Sequence, residues 1–114
     1  MHEASIALSI IEAAALESGR QGYSRIKSIS VNIGSASGVL PNALAMAFDI
    51  VKLEGPAHDA VLRINEIPLG GSCNTCGKGF ETSEQFIFAC PNCGAGDFRF
   101  TTGREMEIVE IEVD

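Results

Sequence analysis

The sequence predicts an α+β fold: two helices on a small three-stranded sheet, with a zinc-ribbon-like lobe inserted before the last strand. Two segments carry apolar residues at helical spacing, and others alternate apolar with polar residues. All four cysteines of the 114-residue chain lie between the predicted second and third strands of this sheet. The predicted order is therefore α-β-α-β, metal module, β.

The first half of the chain predicts one helix and one strand. The helix, residues 4–18, carries an apolar stripe formed by Ala7, Ile10, Ile11 and Ala14. The strand, residues 26–33, alternates Ile29, Val31 and Ile33 with Ser30 and Asn32. A loop at residues 34–38 follows.

The second helix begins near Pro41, a residue suited to a first helical turn, and ends at Gly55-Pro56. Its apolar face consists of Leu44, Ala47, Phe48 and Val51. The second strand surrounds Leu62 and Ile64 and ends at Pro68. The last strand, residues 106–113, changes its apolar parity midway, which predicts a bulge near Ile108-Val109 or burial of both faces.

These elements predict two regions. Residues 1–69 and 104–114 form an α+β core in which the last strand pairs with the first two. Residues 70–103 form a four-cysteine module, and Gly70-Gly71 reads as a hinge-like boundary.

The cysteines form two Cys-x-x-Cys knuckles, Cys73–Cys76 and Cys90–Cys93. The intervening residues 77–89 can form a short hairpin that brings the knuckles together. Four thiolates in tetrahedral geometry are typical of a closed structural zinc site. Gly77 and Gly94 follow the knuckles, where a positive φ is often needed.

Other interpretations of the cysteines are weaker. Two disulfides would suit a secreted protein, but the first residues show no basic region of a signal peptide, which favours a reducing compartment. A rubredoxin-like iron site uses similar knuckles in an aromatic-rich setting, whereas this chain has no Trp and one Tyr. A thioredoxin-like redox pair needs only one knuckle, at a strand-to-helix junction.

The charge balance excludes some functions. The formal net charge of −7 argues against a nucleic-acid groove, which requires a basic surface. No apolar run is long enough to span a membrane. We therefore expect a cytoplasmic protein that binds neither nucleic acid nor membrane.

The amino terminus, Met1-His2-Glu3, offers a second metal site. The α-amine of Met1, the amide nitrogen and imidazole of His2, and the amide nitrogen of Glu3 can surround one ion in a plane. Planar nitrogen ligation suits Ni(II) or Cu(II). His2 can equally be an ordinary exposed residue at a frayed terminus. His58, in a Pro- and Asp-containing loop, reads as a solvated turn residue.

Together these motifs resemble the HypA/HybF family of hydrogenase maturation factors, over the whole chain. The resemblance lies in Met1-His2-Glu3 with Ile6 and Ile10, Asn32-Ile33-Gly34, the helix opening at Pro41, both cysteine knuckles, and the closing residues 103–113.

The resemblance implies a metallochaperone, not an enzyme. It implies that Ni²⁺ binds transiently at Met1, His2 and Glu3, and that Zn²⁺ binds structurally at Cys73, Cys76, Cys90 and Cys93. The implied partners are a nickel-handling GTPase and the large subunit of a [NiFe]-hydrogenase, in some members also a urease pathway; monomers and dimers both occur.

One position departs from the family pattern. The residue before the proline that opens the second helix is often acidic in the family and can approach nickel, but here it is Leu40. The alternative function is a zinc-ribbon protein-interaction module without nickel chemistry. An enzyme is disfavoured because no cysteine is left over as a nucleophile and no acid–base pair is legible.

Overall fold

The computed structural model describes residues 2–114 and has two helices and two three-stranded sheets. The elements in chain order are α1 (Glu3–Arg20), β1 (Ile26–Gly34), α2 (Pro41–Val51), β2 (Val61–Ile67), β3 (Leu69–Cys73), β4 (Gly79–Thr82), β5 (Phe98–Thr102) and β6 (Met106–Val113). The α+β class and the predicted order of core elements are confirmed, with β3, β4 and β5 forming the inserted sheet.

The core sheet has the order β2-β1-β6, so the last strand pairs in the same sheet as the first two, as predicted. β1 runs parallel to β2, with α2 as the crossover between them, and antiparallel to β6. Both helices pack on one face. The buried cluster between them and the sheet contains Ile6, Ala7, Ile10, Ile11, Ala14, Ile26, Ile29, Val31, Ile33, Val39, Leu44, Phe48, Ala57 and Ala60.

The predicted bulge is present in β6. Ile108 pairs with Val31 and Glu110 pairs with Ser30, which leaves Val109 as the extra residue. The bulge changes the phase of the strand, so that Ile108 and Ile111 both pack against the core. Without it, one half of the strand would turn its apolar residues to solvent.

The second sheet has the order β4-β3-β5 and is antiparallel throughout. Gly70 and Gly71 lie inside its central strand, so the expectation of a hinge at this pair is wrong. A Cβ atom on Gly71 would overlap the carbonyl oxygen of Arg99. These glycines therefore permit close strand pairing, a constraint that a hinge would not impose.

The loop after β1 joins the two sheets. Amides of this loop and of the last residue of β1 donate hydrogen bonds to the segments that lead into and out of the inserted lobe. The bonds are Gly34 N to Glu105 O at 2.8 Å, Ser35 N to Ile67 O at 2.8 Å, and Ala36 N to Gly103 O at 2.7 Å. Gly103 has φ +112° and its backbone lies directly against Gly34. Neither position has room for a side chain.

Within residues 2–114, no helix is both long and apolar enough to cross a bilayer.

Candidate metal sites

The four cysteine sulfurs converge at one end of the inserted lobe. The four Sγ atoms all lie within 4.8 Å of one another. Cys73 Sγ is 3.6 Å from Cys93 Sγ, and Cys76 Sγ is 3.8 Å from Cys90 Sγ. A tetrahedron with zinc–sulfur bonds of about 2.3 Å has edges of about 3.8 Å. The cluster therefore fits a structural zinc ion, with residues from both predicted knuckles.

Each knuckle folds its amides around the sulfur of its first cysteine. The amides of Thr75 and Cys76 both donate to Cys73 Sγ at 3.4 Å. In the second knuckle the amide of Asn92 donates to Cys90 Sγ, also at 3.4 Å. These bonds stabilise negative charge on sulfur.

The predicted glycine conformations at the knuckles are confirmed. Gly77 has φ +74° and Gly94 has φ +79°. Their amides donate to the carbonyls of the first cysteines, Gly77 N to Cys73 O at 3.0 Å and Gly94 N to Cys90 O at 2.9 Å. Each glycine therefore closes the turn of its knuckle.

The thiols do not share one ionisation behaviour. The backbone N–H of Cys76 is the main cause that lowers the pKa of the Cys73 thiol to about 6. The backbone N–H of Cys93 likewise lowers the pKa of Cys90. The N–H of Ala95 favours the Cys93 thiolate, but burial and contacts with the other three sulfurs outweigh it and raise that pKa to about 11. Four adjacent thiolates therefore need a cation to neutralise them.

A disulfide does not explain this cluster. All four cysteines are free, and their sulfurs are further apart than the bond length of about 2.05 Å. Five of the six phenylalanines lie in the lobe, and Phe80, Phe98 and Phe100 pack edge-to-face at centroid distances of 5.4–6.3 Å. Phenylalanine thus supplies the aromatic surroundings, and the scarcity of Trp and Tyr does not argue against iron. The assignment of zinc is based on the four thiolate ligands. Metal analysis of the purified protein distinguishes zinc from iron.

Two of the predicted nickel ligands, His2 and Glu3, lie at the start of α1. The Met1 amine lies outside the described residues. His2 is exposed and occupies the N-cap position; its carbonyl accepts hydrogen bonds from the amides of Ser5 and Ile6, at 3.1 and 3.3 Å. Glu3 is the first helical residue, where an amide has no acceptor one turn earlier in the helix. The amide nitrogens of His2 and Glu3 are therefore not required for hydrogen bonds within the helix, and the His2 side chain is exposed.

The starts of the two helices meet at this point. Glu3 Oε2 accepts a hydrogen bond from the amide of Leu40, the N-cap residue of α2, at 3.4 Å. The Leu40 side chain is exposed and provides no metal ligand. The carboxylate nearest to this position therefore belongs to Glu3, which is directed to the backbone of α2. Two helix N-termini also favour negative charge here.

His58 is separate from the amino terminus. It lies exposed in the turn after α2, and its Nδ1 atom is 3.2 Å from Asp59 Oδ1. The structure thus gives His58 a local carboxylate partner, and His58 is not part of the cysteine cluster, the one group of three or more potential metal ligands found within residues 2–114.

Sequence reasoning did not anticipate an apolar groove beside His2. The groove has a volume of about 560 Å³ and lies between α1 and strands β1 and β6. Its lining residues are His2, Ser5, Ile6, Ser9, Ile10, Val31, Ile33, Met106, Glu107 and Ile108. Only the meeting of three separate segments creates it, so no local motif could reveal it.

Comparison with known proteins decides the family. Residues 1–113 match a family profile described as "Hydrogenase/urease nickel incorporation, metallochaperone, hypA". The chain belongs to the HypA family. This is a family of metallochaperones for hydrogenase maturation, not of catalysts, and the resemblance inferred from the sequence is confirmed.

Individual relatives match along more than nine tenths of their length. The chain is 35% identical to the hydrogenase maturation factor HypA of Roseiflexus sp. (strain RS-1), over 100% of this chain and 93% of that protein. It is 37% identical to the HypA of Rhizobium leguminosarum bv. viciae, over 99% of each.

Solved structures show the same fold. The solution structure of the Ni metallochaperone HypA from Helicobacter pylori superimposes with a TM-score of 0.69 and 24% identity, covering 99% of this chain and 97% of that one. A second solution structure of a HypA protein gives a TM-score of 0.72 at 24% identity, covering 99% and 96%. At this identity the likeness concerns architecture alone.

Proposed function

We propose that this protein binds Ni²⁺ at its amino terminus and delivers it to the large subunit of a [NiFe]-hydrogenase during maturation. Membership of a nickel metallochaperone family along residues 1–113 is the observation that carries this proposal. The nickel ligands are the Met1 amine, the His2 amide nitrogen and imidazole, and the Glu3 amide nitrogen. Zn²⁺ is the resident ion, held by Cys73, Cys76, Cys90 and Cys93.

The local structure supports His2 as the decisive side chain. It is exposed at the first turn of α1, where a large cargo-receiving partner can reach it. Ionised amide ligands carry negative charge, and the two helix N-termini that meet at Glu3 and Leu40 favour such charge. Protons compete for the same nitrogens, so nickel affinity falls as the pH decreases.

The mechanism is ligand exchange. Nickel binding releases the protons of the two amide nitrogens to solvent, and the nitrogens take protons up again when nickel passes to stronger ligands in the target; no bond between two heavy atoms other than those to nickel is made or broken. We infer that the protein is not an enzyme, since the proposed activity needs no acid, base or nucleophile. The proposed partner in this transfer is a nickel-handling GTPase, which supplies the nickel or assists its delivery. A urease pathway is a second proposed destination of the nickel.

Zinc serves a different purpose in this proposal. A closed site with four thiolates leaves no open position for a substrate, and the bound ion supplies folding energy to the lobe. The lobe then presents a fixed surface to partners. A zinc-ribbon interaction module without nickel chemistry is the alternative function.

A nickel titration of the untagged protein tests the proposal. His2→Ala should abolish specific nickel binding while zinc content and the circular dichroism spectrum stay unchanged, because the His2 side chain is exposed. A short extension before Met1 should also weaken binding, because it converts the α-amine into an amide. Isothermal titration calorimetry with nickel provides the measurement.

His58→Ala is the matched control, since it removes the only other imidazole in the chain. It should leave nickel affinity unaltered. Tight nickel binding that persists in His2→Ala, or is lost only in His58→Ala, would contradict the amino-terminal site and favour the interaction module. Co-purification of the hydrogenase large subunit with wild type, and not with His2→Ala after nickel loading, tests the proposed delivery.

A further inference from the structure

β6 is an edge strand of the core sheet. One of its edges pairs with β1, and no other strand among residues 2–114 pairs with the opposite edge. A free edge presents backbone N–H and C=O groups that can pair with an added strand. The bulge at Val109 divides this edge into residues 106–108 and 110–113.

The helix-facing side of this edge opens into the apolar groove beside α1. Val31, Ile33 and Ile108 form its floor, and α1 forms one wall. In the described part of the chain no strand lies beyond β6 on the opposite side. Met106, at the start of β6, remains 45% exposed there. The groove therefore leaves apolar surface uncovered along the free edge.

The opposite side of the edge is acidic. Glu107, Glu110 and Glu112 pair in register with Asn32, Ser30 and Ser28 of β1, so their side chains share the sheet face on which neither α1 nor α2 packs, although Glu107 also borders the groove. Glu112 Oε1 accepts a hydrogen bond from Ser28 Oγ at 2.9 Å, and Glu107 Oε1 accepts one from Asn32 Nδ2 at 3.3 Å.

We propose that the free edge of β6 binds an extended segment of a partner protein in which apolar and basic residues alternate. Side chains of a strand point to opposite faces with a period of two. A strand added to β6 would direct every second side chain toward the groove and the others toward the glutamate row. Backbone pairing would supply affinity, and the alternating pattern would supply specificity.

A second copy of this chain is a poor occupant. Pairing two β6 edges would bring two glutamate rows together, and like charges directly opposite each other destabilise strand pairs. Each chain also carries a net charge of −7. A simpler role for the glutamates would be to prevent edge-to-edge aggregation of the sheet. That role accounts for the negative charge but does not require an apolar groove on the other face.

The groove places the proposed strand interaction next to the start of α1. His2 lines the groove, so the bound segment would lie beside the amino terminus. The strand interaction itself needs no nickel. Its test is therefore independent of the proposed metal transfer.

The test uses a capped eight-residue peptide of alternating Val and Lys as the probe. Isothermal titration calorimetry measures its affinity for the full zinc-loaded chain, and amide hydrogen exchange locates it. We expect binding with new protection within residues 106–113. An alternating Val and Glu peptide, and a scrambled peptide of the same Val and Lys composition, should each bind at least tenfold more weakly.

Two pairs of variants examine the two sides of the edge. Glu110→Lys should weaken the Val and Lys peptide about fivefold, the scale of a cross-strand charge pair, whereas Glu66→Lys on the opposite edge strand should not. Ser9→Phe should weaken binding by filling the groove. Ala4→Phe adds the same ring to a part of α1 that does not line it.

The outcomes are decisive in both directions. Edge protection together with sensitivity to Glu110→Lys and Ser9→Phe supports the proposal. Equal affinity for the scrambled peptide would reduce the interaction to charge alone and overturn it. The proposal would also be overturned if no binding occurred at millimolar peptide, or if protection were confined to residues outside β6. The remaining role of the glutamates would then be to prevent aggregation through the free edge.

Discussion

The core and the inserted lobe reach order by different physical means. The core buries a continuous cluster that includes the fully buried side chains of Phe48, Ile29 and Leu44. The lobe buries few apolar residues besides Leu69; two of its buried residues are the ligands Cys73 and Cys90, and its Phe88 is 87% exposed. Burial stabilises the core, and we expect the lobe to depend on metal ligation and glycine-mediated strand contacts.

Removing one zinc ligand should break this comparison most severely. Cys90→Ala leaves three ligands, and structural zinc sites contribute on the order of 10 kcal/mol to folding at neutral pH. We expect amide signals of residues 70–103 to collapse in a two-dimensional NMR spectrum while those of β1 and α2 remain dispersed.

Asn92→Ala is the control, because Asn92 lies exposed in the same knuckle and its side chain is not a zinc ligand. It should retain one zinc per chain. If Cys90→Ala also melts the core, the two regions are not separate folding units and the boundaries at residues 70 and 103 are wrong.

The reverse experiment removes a core side chain. Phe48→Ala should lower the free energy of unfolding of the core by about 3–5 kcal/mol, because the fully buried ring leaves a cavity. Met46→Ala, on the exposed side of the same helix, should cost less than about 1 kcal/mol. Denaturant titration followed by circular dichroism at 222 nm compares them. Equal losses would mean that burial does not control the stability of the core.

The junction between the regions offers a smaller test. A methyl group on Gly34 would overlap the Gly103 carbonyl, so Gly34→Ala should cost about 1–3 kcal/mol and disturb amides on both sides of the junction. Gly19→Ala, a helical position with open space around it, should instead stabilise by about 0.5–1 kcal/mol. Thermal melts provide both values. An unperturbed Gly34→Ala spectrum would show that the junction is loose.

The smallest expected effect concerns the aromatic surface of the lobe. Phe88→Ala should change lobe stability by less than about 0.5 kcal/mol, because its ring is 87% exposed and pairs with the ring of Phe86, itself exposed, at a centroid distance of 4.9 Å. Phe98→Ala should cost more, since that ring packs against both Phe80 and Phe100. Zinc retention against a competing chelator ranks the two variants, and a reversed ranking would contradict this account.

The sequence by itself determined the elements whose signal is local. Helical spacing located α1 and α2, Cys-x-x-Cys spacing predicted one cluster from both knuckles, and the parity change in β6 predicted the bulge at Val109. The helices and the bulge depend on residues within about one or two turns or one strand, where the periodicity of the backbone is strict. The cysteine cluster depends instead on ligand chemistry, because four thiolates in two knuckles complete one tetrahedral site.

The tertiary structure alone decided the rest. Gly70 and Gly71 read as a hinge because glycine is common at flexible joints, but pairing on both sides makes them the tight centre of a sheet. The groove beside His2 and the free edge of β6 exist only because residues far apart in the chain meet there. Such sites have no local signature, since contacts between distant segments are set by packing and not by spacing along the chain.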